Sequence, residues 1–79
     1  MNLLRTYRDG DMLWYVSYSA DDEIGFRAIR SREAAIRTAC DLLDKGYVVL
    51  RVGKSGHDDY VPPHEIAFAR GRRNLARLQ

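Results

Sequence analysis

Two histidines and two aspartates form the densest group of metal-binding side chains in this sequence. His57, Asp58 and Asp59 are consecutive, and His64 follows them closely. Imidazole nitrogens and carboxylate oxygens are ligands that zinc and other divalent ions accept. A predicted strand and two prolines separate the histidines, however, and polar residues of this kind are also common in solvated hairpin loops. The plain loop is the favoured interpretation, so we expect no metal and no cofactor.

The sequence carries no arrangement of residues typical of an enzyme. Its single cysteine, Cys40, lies beside the apolar stripe of a predicted helix, where burial favours the unreactive thiol. The serines fall in no recognisable nucleophile turn. The glycine-containing turn at 53–56 is shorter than a phosphate-binding loop, and no helix follows it. We therefore predict that the protein is not an enzyme.

Tyrosines and arginines of the predicted sheet are better candidates, and the chemistry they offer is binding. If one helix covers one face of the sheet, the other face displays a set of aromatic and basic residues: Tyr15, Arg27, Tyr47 and Arg51. Tyrosine and arginine are enriched at protein interfaces. They also stack on bases and neutralise phosphates in proteins that bind single-stranded nucleic acid. We predict that this face binds a protein partner or a second copy of this chain, with single-stranded nucleic acid as the alternative. The remaining interpretation is an ordinary solvent-exposed face with no binding role.

A second candidate is the arginine cluster near the C-terminus, formed by Arg70, Arg72 and Arg73 with Arg77. Residues 62–79 hold four arginines against one glutamate, so the formal net charge of +2 is concentrated there. Contacts to several phosphates would make binding fall steeply with salt. Such a run can equally be solvated, or pair with acidic residues of the same fold.

The elements that position these residues begin with a hairpin. Residues 12–18 and 24–29 are rich in β-forming residues, and the polar residues 19–23 between them suit a loop. Alternation along each strand places successive side chains on opposite faces. We expect the face with Trp14 and Val16 and the face with Phe26 and Ala28 to meet the core.

The strongest local pattern predicts a helix over 32–45. Ser31 can cap its first turn, and Gly46 can adopt the left-handed conformation that ends a helix. Apolar residues recur at three- and four-residue steps and form one stripe: Ala35, Ile36, Ala39, Leu42 and Leu43.

Two further strands are predicted at 47–52 and 59–61, and alternation places Val48, Leu50 and Val52 on one face. Pro62 and Pro63 end the last strand, because proline has no N–H to donate. A two-turn helix over 63–70 can follow, interrupted by Gly71. The predicted fold class is α+β: a small antiparallel sheet in the order β-β-α-β-β, with one main helix on one face and, optionally, a short C-terminal helix.

Part of this pattern resembles a family of short bacterial domains of unknown function. The resemblance spans roughly residues 12–60 and is carried by core and turn positions: Trp14-x-Val16, Phe26, Ser31-x-x-x-Ala35-Ile36-x-x-Ala39-x-x-Leu42 and Val52-Gly53-Lys54-x-Gly56. It departs from the family at Ala34 and Ser55, where an acidic residue is usual. It implies the β-β-α-β-β order and brings no established activity.

A length of 79 residues bounds the organisation to one domain. We expect residues 1–70 to form it, with residues 71–79 as a flexible basic tail. The apolar runs fall far short of the roughly 20 residues that span a bilayer, and the N-terminus lacks the apolar stretch of a secretion signal. The chain is therefore expected to be cytoplasmic and free of membrane contact.

Overall fold

The computed structural model describes residues 13–54 and 59–77, which form an antiparallel sheet and two helices. The strands are β1 (Trp14–Ala20), β2 (Glu23–Ile29) and β3 (Val48–Lys54). The helices are α1 (Arg32–Asp44), between β2 and β3, and α2 (Pro63–Arg77), after β3. Both neighbours of β1 run antiparallel to it, so the strand order is β2-β1-β3. The α+β class predicted from the sequence is confirmed.

The β1–β2 hairpin is confirmed, but its turn is tighter than predicted. Ala20 already pairs with Glu23, so only Asp21 and Asp22 form the turn. Their φ angles are 52° and 71°, and positive values at both positions are typical of the two-residue turn that matches strand twist. The strands consequently extend into the stretch that the sequence suggested was a loop.

Helix α1 follows its local pattern closely. The Ser31 Oγ accepts a hydrogen bond from the Ala34 N–H at 3.1 Å, which caps the first turn. Gly46, at φ 89°, reverses the chain after the last turn. The buried residues of the helix are Ala35, Ala39, Cys40 and Leu42. Together with side chains such as Val16 and Val52 they form the core against one face of the sheet.

A β-bulge in β3 overturns the face assignment predicted for that strand. Ser17 lies opposite Arg51, but the next residue of β1, Tyr18, lies opposite Val49, so Leu50 is the additional residue. An extra residue reverses the alternation beyond it. Val52 is buried and Val49 packs against the same core, whereas Leu50 and Val48 are more than half exposed. The prediction that Val48, Leu50 and Val52 share a face is therefore wrong.

The predicted fourth strand does not form. Tyr60 makes an isolated bridge to Gly53, supported by hydrogen bonds from the Val61 N–H to the Val52 carbonyl and from the Lys54 N–H to the Asp59 carbonyl. Pro62 cannot donate to a ladder, and the chain enters α2 at the next residue. The described residues thus form three strands, and the β-β-α-β-β order is wrong in its last strand.

Helix α2 is longer than the two turns predicted, because it continues through Gly71 to Arg77. Glycine in a helix interior costs about 1 kcal/mol relative to alanine, which contacts with α1 offset. The predicted boundary at residue 70 falls inside this helix. Within the described residues, neither helix is both long and apolar enough to cross a membrane.

Candidate protein-binding surface on the sheet

The sheet has one face that neither helix covers, which we call the reverse face. Helix α1 contacts all three strands from the other side, and α2 packs against α1. Alternation from the buried Trp14 and Val16, with the pairing of the strands, defines the residues of the reverse face: Tyr15, Ser17, Ser19, Ile24, Phe26, Ala28, Val48, Arg51 and Gly53.

Three large apolar side chains of the reverse face are exposed. The exposed fractions are 64% for Ile24, 69% for Phe26 and 57% for Val48. Single exposed apolar residues are ordinary, but several on one flat face are typical of an interaction site. No described element shields them.

The exposure of Phe26 contradicts the prediction that Phe26 and Ala28 meet the core. A loop over 19–23 would have paired Val16 with Phe26. The two-residue turn instead pairs Val16 with Arg27 and Ser17 with Phe26. A shift of one residue in register moves every side chain of a strand to the opposite face. The length of the turn therefore decides that β2 presents Ile24 and Phe26 outward.

Two of the four predicted sheet residues lie on the reverse face, as expected. Tyr15 is half-buried between Ala28 and Gly53 on the neighbouring strands. The Arg51 guanidinium lies so close over Gly53 that a Cβ there would be 2.9 Å from an arginine nitrogen. Its carbon is also 6.0 Å from the centre of the Tyr60 ring, so Arg51 runs along the edge of the face.

The other two, Arg27 and Tyr47, lie on the helix-facing side, so their predicted placement is wrong. Tyr47 stacks on Tyr18 with ring centres 5.8 Å apart and planes 9° apart. The Arg27 guanidinium lies 5.8 Å from the Tyr18 ring centre. Gly25 makes room for this stack, because a Cβ at that position would be 2.5 Å from the Tyr18 ring. That glycine is the signal in the sequence that was missed, since a glycine inside a strand often marks a close approach.

The C-terminal arginines mostly join α2 to α1. The Arg70 Nε donates to Asp44 at 2.9 Å, Arg73 donates to Asp41, and Arg77 lies 3.4 Å from Asp44. The Arg70 hydrogen bond holds the pKa of the Asp44 carboxyl below its usual value. Pairing with acidic residues of the same fold was one of the outcomes that the sequence allowed.

Arg72 differs from its neighbours because, among the described residues, it forms no ion pair with α1. Its guanidinium lies 5.9 Å from the Phe68 ring centre on the outer side of α2. Phe68 is 66% exposed, almost as much as Phe26. This aromatic residue on the helix is therefore a natural control for the one on the sheet.

The start of α2 has its own ion pair. Arg32 donates to both carboxylate oxygens of Glu65 at 2.6 and 2.7 Å. This bidentate contact lowers the pKa of the Glu65 carboxyl.

The cysteine, the histidines and the groove beside β3 offer little chemistry among the described residues. Cys40 is buried, burial raises the pKa of its thiol, and its Sγ lies 4.0 Å from the Ile66 carbonyl oxygen. His57 and Asp58 lie outside the described residues, and the described ones contain no group of three or more metal-binding side chains. A groove of about 370 Å³ between β3 and α2 is mainly aliphatic, and its two charged residues, Arg51 and Arg70, already contact Tyr60 and Asp44.

Neither protein-family models nor curated proteins nor solved structures gave a match. The resemblance of residues 12–60 to short bacterial domains accordingly stays a prediction, and the functional interpretation depends on the geometry alone.

Proposed function

We propose that this protein is a non-catalytic assembly module that binds another protein surface through the reverse face. The observation that carries the proposal is the exposure of Ile24, Phe26 and Val48 on a face that no described element covers. Tyr15 and Arg51 supply an aromatic and a basic group on the same face, and both residue types are enriched at interfaces.

The expected affinity is modest. Removing the exposed part of each large apolar side chain from water contributes roughly 1–2 kcal/mol. The summed contribution of three such side chains is close to the lower end of the range for the free-energy cost of association, about 4–15 kcal/mol. We therefore expect a reversible complex in which further contacts at the edges of the face decide the partner.

Single-stranded nucleic acid is the weaker alternative. It was predicted from four sheet residues and an arginine cluster, but Arg27 and Tyr47 lie on the helix-facing side. Arg70 and Arg73 are engaged with acidic residues of α1. Within the strands of the reverse face Arg51 is the one basic residue, and Arg30 follows the end of β2, whereas nucleic-acid sites combine several cations with stacking platforms.

Site-specific photo-crosslinking in the cells that produce the protein tests the proposal. A photoreactive phenylalanine analogue replaces Phe26 in one variant and Phe68 in the control. We expect protein adducts of defined mass from position 26 and few from position 68. Equal labelling at both positions, no adduct at position 26, or adducts consisting of nucleic acid would contradict the proposed function.

A further inference from the structure

The reverse face is self-complementary about its middle row. Cross-strand pairing arranges it in three rows: Ile24, Ser19 and Val48 at one end; Phe26, Ser17 and Arg51 in the middle; Ala28, Tyr15 and Gly53 at the other end. Large side chains of one end row therefore correspond to small ones of the other: Ile24 to Ala28, and Tyr15 to Ser19.

The charges at the two ends of β2 have opposite signs. Asp22 lies in the hairpin turn, and Arg30 follows the last residue of the strand. Each is four residues from Phe26. Both residues are exposed, and among the described residues neither takes part in an ion pair.

Building on the proposed function, we propose that the partner is a second copy of this chain. The two reverse faces pack together about a twofold axis that crosses the strands at the level of Phe26. The rotation reverses the strand direction, so Asp22 of each copy lies near Arg30 of the other. Ile24 then meets Ala28 of the second copy, and the two Phe26 side chains meet on the axis.

Charge and shape both favour this arrangement over its alternatives. A twofold interface uses one patch twice and must be self-complementary. An arrangement with the strands in the same direction would place the acidic turns together, and like charges at an interface are unfavourable. Large residues opposite small ones allow two packed layers to interdigitate. Arg51 is also in the middle row, but its guanidinium lies close over Gly53 in the end row and 6.0 Å from the Tyr60 ring centre. The rotation therefore carries the guanidinium groups of the two copies to opposite end rows, away from each other.

Charge reversal distinguishes this arrangement from any other use of the face. In Asp22→Lys, two basic residues meet across the interface, and in Arg30→Glu two acidic residues meet. We expect each variant alone to raise the dimer dissociation constant at least about tenfold in sedimentation velocity, because like charges repel. An equimolar mixture of the two variants restores dimerisation, since every pair across the interface is then of opposite sign. The double variant restores it as well.

Two controls separate repulsion at the interface from a general effect of changed charge and from a loss of folding. Glu33→Lys reverses an exposed charge on α1, away from the reverse face, and leaves dimerisation unchanged. Thermal unfolding of each variant at low concentration checks that the monomer is folded. The rescue in the mixture cannot come from recovered folding, because neither chain has changed.

The results distinguish a failure of the proposed dimer from a failure of the proposed function of the reverse face. If Phe26→Ser abolishes self-association but the charge reversals do not weaken it, the antiparallel arrangement is overturned and the proposed function stands. A wild-type chain that stays monomeric at millimolar concentration, while position 26 crosslinks to a different protein, overturns the second copy alone. Absence of any adduct at position 26 removes the proposed function itself.

Discussion

The two faces of the sheet differ in what they pack against: α1 covers one of them, and no described element covers the large apolar side chains of the other. On the helix-facing side, the core residues Trp14 and Val16 are joined by Arg27, whose charged group lies over Tyr18. On the reverse face, the more hydrophobic Phe26 is exposed. The two neighbours exchanged their expected places because the turn fixes the register. A charged residue remains acceptable on the covered side when its stem packs and its head stays in water over an aromatic ring.

The same contrast predicts which side determines stability and which determines binding. Contacts of the helix-facing side exist in the monomer, so their loss is measured as a loss of unfolding free energy. Contacts of the reverse face form only in a complex, so their loss leaves the monomer nearly unchanged. Variants on the two sides of the sheet should therefore differ in which of these two quantities they change.

The largest effect is expected from Leu42→Ala, compared with Phe26→Ser. Leu42 is 1% exposed between α1 and the sheet, and truncating such a residue costs about 2–5 kcal/mol. The change at Phe26 should cost less than about 1 kcal/mol, the span of strand propensity. Urea unfolding of both variants at low concentration measures the difference. Similar losses would mean that the reverse face belongs to the core of the monomer.

Gly25→Ala and Gly53→Ala form a matched pair on opposite sides of the sheet. At Gly25 the new Cβ meets the stacked Tyr18 ring, so we expect a loss of about 1–3 kcal/mol from overpacking. At Gly53 it meets the end of the flexible Arg51 side chain, which can move away, so the loss should be smaller. Chemical denaturation gives both values. A larger loss at Gly53 would contradict the side assignments of the two glycines.

Gly71→Ala should stabilise the monomer by about 0.5–1 kcal/mol. Apart from the neighbouring backbone of α2 itself, no atom of the described residues lies within 4 Å of the Cβ position, so the change relieves the cost of a helical glycine without a clash. Self-association is expected to be unaffected, because α2 is not part of the reverse face. Thermal unfolding and sedimentation of this variant test the two statements, and weaker association would place the interface on α2 instead.

The smallest effect concerns the ion pairs between the helices. The pKa values of Asp44 and Glu65 are lowered by Arg70 and Arg32 respectively. A carboxyl with a lowered pKa contributes stability above its unfolded pKa, about 4, and that contribution is lost as pH falls through the folded value. Asp44→Asn should therefore lose less stability than the wild-type chain between pH 5 and pH 2. Parallel curves of unfolding free energy against pH would rule out this contribution.

Local signals in the sequence were sufficient for the hairpin and for α1. The cap at Ser31, the apolar stripe and the glycine at 46 act within a few residues, and each is present in the structure. Local sequence patterns could not predict which side chains lie on each face of the sheet. It depends on a turn of two residues and on the bulge at Leu50, and alternation alone signals neither.

The C-terminal region was misjudged for a related reason. Gly71 is a helix breaker by its propensity, but tertiary contacts of α2 with α1 override it. The partners of Arg70 and Arg73 lie on α1, far away in sequence, so composition showed a basic cluster and not an interhelical contact. Of the candidate binding residues, Tyr15 and Arg51 were placed correctly, whereas the exposed Phe26 was expected in the core.

Sedimentation velocity of three chains over a range of concentrations measures whether the reverse face joins two copies of the chain. The wild-type chain and Phe68→Ser should both show a concentration-dependent increase toward the dimer, and Phe26→Ser should remain a monomer throughout. Unchanged association of Phe26→Ser, or equal weakening by both serine variants, would contradict the assignment of the interface to the reverse face.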